Sequence, residues 1–418
     1  MLDMKWIRQN AGQVQEAARC KGIAVSVAEL IEVDDRRREL LAETERLRQE
    51  RNRLSAAVGK TGGRGQAREQ ARALNRAIAE LEEQLEEATR RHKELLLLVP
   101  NVVSPDTPVG TGDADNVEVR RSGEPPAFAF EPLDHVALGE RLGLLDLTRG
   151  VKTGGSRSYY LRGAGVKLHR AVQQLALDVL EREGFTLLDV PLLVREEALY
   201  STGFFPLGRD QTYALEDGDR WLVGTSEAPL VAYYAGETVD LAEPVRLAAA
   251  SACFRSEVGS AGRDVRGLYR VHQFAKVEQV VLCQADAELS ERLLQHITAN
   301  AERILELLEL PYRVMAVCTG DMSQKTYKQY DIETWMPSRG SYGETHSSSN
   351  LHDFQARRCG IRYRDADGKL QYAHTLNNTA VASPRILIPL LEVHQQEDGS
   401  VRIPKALQPY MHGLERLE

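Results

Sequence analysis

No apolar run in the 418 residues approaches the ~20 residues a helix needs to cross a bilayer, so no membrane partner is expected. The opening Met1-Leu2-Asp3-Met4-Lys5 leads into polar sequence without an apolar core, which argues against a secretory signal. Cysteine is scarce. Cys20, Cys253, Cys283, Cys318 and Cys359 are odd in number and scattered, and none forms a C-x-x-C pair. That usage argues against a disulfide framework and against a structural zinc site, and fits reduced thiols in a cytoplasmic protein. A basic excess is missing too: 53 Lys and Arg stand against 61 Asp and Glu, a net charge of −8. The balance does not advertise nucleic-acid binding. Such binding depends on local Lys and Arg clusters, though, and a net figure averages them away. What is present, 42% hydrophobic and 27% charged residues, suffices for two or three domains and a large core.

The first ~25 residues read as short helical pieces around Trp6 and Ile7. A long pattern follows, in which Val33, Arg37, Leu40, Thr44, Leu47, Arg51, Leu54 and Val58 recur at alternating steps of four and three. A second run, Ala67, Ala71, Leu74, Ile78, Leu81, Leu85, Ala88, His92 and Leu95, obeys the same rule. This spacing keeps one stripe of each helix facing a partner, which predicts an antiparallel two-helix hairpin over about 28–98. Each arm of ~30 residues would reach ~45 Å. Between the runs, Gly59-Lys60-Thr61-Gly62-Gly63-Arg64-Gly65 is expected to end the first helix and permit a tight reversal. Gly59-Lys60-Thr61 also resembles the end of a phosphate-binding loop, but Leu54 stands where that motif needs a glycine and no strand precedes it. Arginines such as Arg36, Arg48, Arg72 and Arg76 lie among many glutamates in the hairpin. They suit either a solvated coiled coil laced with ion pairs or an arm that grips a phosphate backbone, and the arm alone does not decide.

Residues 100–126 are rich in Pro and Gly and read as a linker, with domains expected at 1–110 and 111–418. Beyond it, helices are predicted over 165–183, 286–309 and 386–392. Strands are predicted at 187–193, 221–223, 271–274, 277–283 and 312–317. Strand runs without regular helix alternation indicate an α+β domain with an antiparallel sheet.

Three segments are dense in functional side chains. Phe254-Arg255-Ser256-Glu257 and Arg270-Val271-His272-Gln273-Phe274 suggest two strands joined by a loop. An arginine fixed on a strand is a rigid phosphate ligand and Phe274 could stack on a base, although a hairpin with surface ion pairs has the same appearance. Leu376-Asn377-Asn378-Thr379-Ala380-Val381-Ala382-Ser383-Pro384-Arg385 leads into an apolar run, which puts Arg385 near a helix start. That is either an anion site or a plain helix entry. Thr225-Ser226-Glu227, Glu278 and Glu344-Thr345-His346-Ser347 supply carboxylates and hydroxyls suited to magnesium or an ammonium group, or to solvated turns.

Together these segments resemble a known family. Gly184-Phe185-Thr186-Leu187-Leu188-Asp189-Val190-Pro191, the two arginine-bearing strands, and Ala382-Ser383-Pro384-Arg385 are similar to the three ordered motifs of class II aminoacyl-tRNA synthetases. Gly224-Thr225-Ser226-Glu227, the stretch from Gly262 to Phe274, His374-Thr375-Leu376-Asn377-Asn378-Thr379 and the long hairpin resemble the bacterial seryl-tRNA synthetases in particular. The resemblance covers essentially the whole chain. It implies a class II antiparallel sheet with a coiled-coil arm, a homodimer, and ATP-dependent activation of L-serine to seryl-adenylate. Transfer to the 3′ end of tRNA(Ser), and also of tRNA(Sec), would follow. Carried over residue by residue, it implies that Arg255 and Arg385 are catalytic. Arg255, Ser256, Glu257, Val271, Phe274, Glu344, Thr345, His346, Ser347 and Arg385 would surround ATP. Thr225, Ser226, Glu227, Arg255, Glu278 and Thr379 would surround serine, and Glu344 with Ser347 would hold Mg2+. The family often shows an apolar and then a small residue where Thr345-His346 sit, and glycines where Asn378, Ala380 and Pro384 stand.

Overall fold

The computed structural model describes residues 1–61, 64–216, 218–258 and 266–418. They form two compact units, Leu2–Pro100 and Asn101–Glu418 together with Met1.

The first unit is helical: α1 (Met4–Gln9), α2 (Ala11–Cys20), α3 (Val27–Thr61) and α4 (Arg64–Leu98). Asp3 caps α1 by accepting from the Lys5 and Trp6 amides, which satisfies donors the first turn leaves without partners. The heptad stripe closes the hairpin, with Leu40, Thr44 and Leu47 of α3 and Ile78 and Leu95 of α4 buried. Cross-helix pairs run antiparallel: Arg91 to Glu29 at 2.5 Å, Arg36 to Gln84 at 3.0 Å and Arg48 to Glu82 at 2.7 Å. The first helix ends inside the 59–65 segment, as expected. Helix continues through Gly59 to Thr61 and resumes at Arg64. A helical glycine costs only about 1 kcal/mol, so Gly59 does not by itself stop the helix. The tight reversal expected of this segment falls on Gly62 and Gly63, which lie outside the described residues.

The second unit is built on an eight-stranded sheet. Its strands are β1 (Val117–Ser122), β2 (Thr186–Leu187), β3 (Val245–Phe254), β4 (Gln273–Cys283), β5 (Tyr312–Ala316), β6 (Lys328–Met336), β7 (Ser341–His352) and β8 (His374–Ser383). Their order is β1-β5-β6-β7-β8-β4-β3-β2, antiparallel except for the parallel β2–β3 edge pair. The unit is α+β, as the strand-rich pattern indicates.

Strand alternation sorts the faces. Val277 and Val281 of β4 pack into a core with α5 (Ala164–Arg182) and α7 (Ala287–Leu307), while Val280 and Leu282 join a second cluster with Leu230 of α6 (Glu227–Ala232) and Ala356 of α8 (Phe354–Cys359). Buried Leu294, Ile297, Ala301, Ile304 and Leu305 recur at helical spacing along α7, each large apolar chain contributing about 1.5–3 kcal/mol. Asp286 caps α7 through the Glu288 and Leu289 amides.

Two strand predictions need correction. The 187–193 run is split: Thr186–Leu187 pairs with β3, whereas Leu193–Arg195 pairs with Arg220–Leu222 in a separate ribbon. Pro191 lies between and has no amide to extend a ladder. The 277–283 run begins earlier, within a continuous β4 from Gln273, and Val271 lies outside any strand. The predicted 386–392 helix is α9 (Leu387–Val393).

Candidate active site

A cavity of about 300 Å³ opens on the face of β4, β7 and β8 opposite α7. Residues at i, i+2 and i+4 of a strand share a face, and Phe274, Lys276 and Glu278 of β4 all line it. On β7, Ser347 lines it by the same alternation, and Glu344, three residues away, should point to the other face. Between Ile332 and Glu333 of β6 the register of β7 skips Thr345. That one-residue bulge returns Glu344 to the cavity side. A second bulge, at Ala380 of β8, lets Asn377 and Thr379 line the cavity before it and Ala382 after it.

One end is cationic. Arg255 leaves the end of β3 with its guanidinium 5.3 Å from the Phe274 ring centroid. Arg385 donates to the Tyr269 carbonyl at 3.0 Å and the Glu344 carbonyl at 3.2 Å, and lies 4.5 Å from the Tyr269 ring centroid. Arg385 precedes α9 by two residues, near the helix start as expected, and these carbonyls and the ring hold its guanidinium. Glu257 adopts φ of 53°, a strained value for a residue with a side chain, and accepts from Arg270 at 3.4 Å.

The other end is closed and carries paired charges. Glu278 is buried, which pushes its carboxyl up, opposed by Lys276 at 2.5 Å. The Thr379 hydroxyl lies 3.5 Å from Glu278. Glu227 pairs with Lys325, and Thr225 caps its amide at 3.2 Å.

Of the fifteen residues singled out from the sequence, Thr225, Glu227, Arg255, Glu257, Val271, Phe274, Glu278, Glu344, Thr345, His346, Ser347, Thr379 and Arg385 line this cavity. Ser226 and Ser256 do not. Ser226 is fully buried, and Ser256 turns its hydroxyl to the Asp210 carbonyl at 2.7 Å. Thr345 meets the Thr334 hydroxyl at 2.6 Å, and His346, held neutral by burial at a pKa of about 3, bonds Thr345 at 2.8 Å. Lining residues not foreseen include Tyr269, Lys276, Lys325, Gln329 and Asn377. Lys276 was legible, since it stands two residues before Glu278 on one strand. Lys325 was not, because it lies in a polar connection and meets a partner 98 residues away.

Among the described residues no three His, Cys, Asp or Glu side chains are grouped to hold a metal. A magnesium site with one or two carboxylates completed by substrate phosphates still fits. Glu344 and Ser347 share the cavity side, and Asp331 faces Ser347 across the ladder. Burial, then the nearby Glu344 charge, push the Asp331 carboxyl well up.

An antiparallel sheet with a buried, charge-paired end beside a cationic, aromatic-walled end is the core of a class II synthetase. The family model for the tRNA synthetase class II core domain (G, H, P, S and T) matches residues 213–394, and that for the seryl-tRNA synthetase N-terminal domain matches residues 1–103. The chain is 49% identical to a serine–tRNA ligase of Deinococcus radiodurans, covering 100% of this chain and 99% of that one. It is 45% identical to the Rubrobacter xylanophilus enzyme of that name, over 98% of each chain. The crystal structure of seryl-tRNA synthetase from Pyrococcus horikoshii complexed with ATP superposes with a TM-score of 0.90 at 38% identity, covering 100% and 99% of the two chains. The chain belongs to the seryl-tRNA synthetase family and is an aminoacyl-tRNA ligase.

Proposed function

We propose that the chain activates L-serine with ATP to form seryl-adenylate and transfers the seryl group to the 3′ end of tRNA(Ser), and also of tRNA(Sec). The observation that carries this reading is the polarity of one cavity, with Arg255 and Arg385 at one end and Glu278 with Thr379 at the other. ATP fits the cationic end. Arg255 holds the α-phosphate, Arg385 the γ-phosphate, Phe274 stacks on adenine, and Glu257 with the Val271 backbone reads its edge.

The serine carboxylate is already ionised at neutral pH, so its attack on the α-phosphorus needs no strong base. Pyrophosphate leaves. Catalysis rests on in-line positioning and on fixed positive charge where negative charge develops. Glu344 and Ser347 would hold magnesium, which when bound neutralises phosphate charge. In the second step a ribose hydroxyl attacks the adenylate carbonyl and AMP leaves. Glu278, Thr379, Thr225 and Glu227 take the ammonium and hydroxyl of serine. A pocket built to bond a hydroxyl refuses alanine because buried polar groups go unpaired, and refuses larger chains on volume.

The N-terminal domain, read from the sequence as 1–110, binds tRNA through its hairpin, and 111–418 carries catalysis in a cytoplasmic homodimer. Among the described residues no helix is long and apolar enough to cross a membrane. The experiment is charging of unfractionated tRNA with labelled serine, ATP and magnesium. Acid-precipitable, ribonuclease-sensitive label supports both half-reactions. Serine-dependent pyrophosphate exchange without label points to another acceptor, and neither activity removes the reading.

A further inference from the structure

Lys325 lies between β5 and β6, buried, with its ammonium 4.0 Å from the Phe204 ring centroid. Glu227, the first residue of α6, receives three donors on a single oxygen, Oε1. They are the Lys325 ammonium, the Gln355 amide at 2.7 Å and the Asn377 amide at 3.0 Å. These donors come from three separate parts of the chain, the connection before β6, α8 and β8. Gln355 is itself fixed, since it also donates to the Thr202 carbonyl at 2.8 Å and accepts from Thr375 at 2.7 Å.

A carboxylate oxygen has two lone-pair sites, so Oε1 has no capacity left for a ligand. The other oxygen, Oε2, remains. Across the closed end Glu278 has its own lysine, Lys276 at 2.5 Å. Two carboxylates and two ammonium groups cancel there before any substrate arrives. An amino acid brings its own cancelling pair, its ammonium to this end and its carboxylate toward Arg255.

We propose that Lys325 is a positioning residue for amino-acid recognition: by occupying one oxygen of Glu227 beneath the Phe204 ring, it aims the other oxygen, alongside Glu278, at the ammonium and hydroxyl of a small zwitterionic substrate. This rests on the serine-activation reading above. Without Lys325 the Glu227 carboxylate is a buried charge lacking its counter-ion, held on Oε1 by the neutral Gln355 and Asn377 amides alone.

The test is serine-dependent ATP–pyrophosphate exchange with wild type, Lys325→Met, Lys325→Arg, Glu227→Gln and the Glu227→Gln/Lys325→Met double variant, with thermal unfolding measured for each. Lys325→Met is expected to raise the serine KM by roughly 10- to 100-fold, with the ATP KM within about twofold, as removal of one member of a buried ion pair implies. Lys325→Arg should recover part of the loss. In the Glu227→Gln background the further loss on Lys325→Met should be no more than about twofold, because residues acting as one unit are not additive. An unchanged serine KM in Lys325→Met overturns the proposal, as does a full additional loss in the double variant, which would mean Lys325 acts apart from Glu227. If Lys325→Met does not fold, Lys325→Arg and Glu227→Gln decide: equal ATP and serine effects in both overturn it. Absence of serine-dependent exchange in the wild type instead removes the underlying reading.

Discussion

The helical unit and the sheet unit use the same kind of interaction in opposite ways. Along the hairpin, Arg48 and Glu82 meet at 2.7 Å with about half of each side chain exposed, at 50% and 45%. In the cavity, Lys276 and Glu278 meet at 2.5 Å with 8% and 2% exposed. Water screens the first pair, and such contacts contribute little. The second pair has lost its water, so each partner depends on the other. The hairpin can therefore exchange many surface charges, whereas the cavity fixes almost every one it holds. Asp34 is the exception on the helical side. Its buried carboxylate is shared by Arg8 at 2.7 Å, Arg37 at 2.8 Å and Arg38 at 3.0 Å.

The largest expected effect is at Glu278. Glu278→Ala should lower kcat/KM for serine by roughly 10³-fold while ATP binding largely survives, as expected when a buried recognition group is lost. Serine and ATP titrations of pyrophosphate exchange check this, and unchanged serine-dependent turnover would remove Glu278 from the site. Next is Asp34→Ala, which should destabilise the hairpin unit by about 3 kcal/mol, because three guanidinium groups lose a shared buried anion. Urea unfolding followed by far-UV circular dichroism reads this. A change below about 0.5 kcal/mol would place Asp34 with the surface pairs.

A third prediction concerns acid. Burial depresses His346 to about 3 and His352 and His374 to about 4. Unfolded histidine titrates near 6.5, so between about pH 6.5 and 4 the unfolded chain binds more protons and stability falls as pH falls. The rings of His352 and His374 stack at 4.4 Å within the sheet unit. The sheet unit should therefore lose stability faster than the hairpin between pH 7.5 and 5, and His374→Gln should flatten that slope. Parallel acid slopes in wild type and variant would refute the assignment. The smallest effect is Arg48→Ala, expected within about 0.5 kcal/mol of wild type in the same unfolding measurement, and smaller still at high salt.

How far this was legible from sequence also differs between the units. The hairpin stripe was readable because one period governs it, and Leu40, Thr44, Leu47, Ile78 and Leu95 are buried as the spacing predicts. In the sheet unit the motifs marked thirteen cavity residues, and simple alternation relates Phe274, Lys276 and Glu278. What escaped was non-local or irregular. Pro191 divides a run that composition reads as one strand. Lys325 meets Glu227 only because the fold brings a connection over α6. Ser226 and Ser256 sit inside motifs whose neighbours face the cavity while their own side chains do not. A motif specifies a segment, and the local backbone decides which of its side chains arrive.

The two bulges make the cavity a matter of parity. An extended strand assigns odd and even positions to opposite sides, and one supernumerary residue inverts that assignment for everything beyond it. Thr345 and Ala380 each impose such an inversion, on neighbouring strands. Removing Thr345 alone would leave composition and charge almost untouched yet send Glu344 to the wrong side of the sheet. In this molecule the count of residues between two functional side chains carries as much chemical information as their identity.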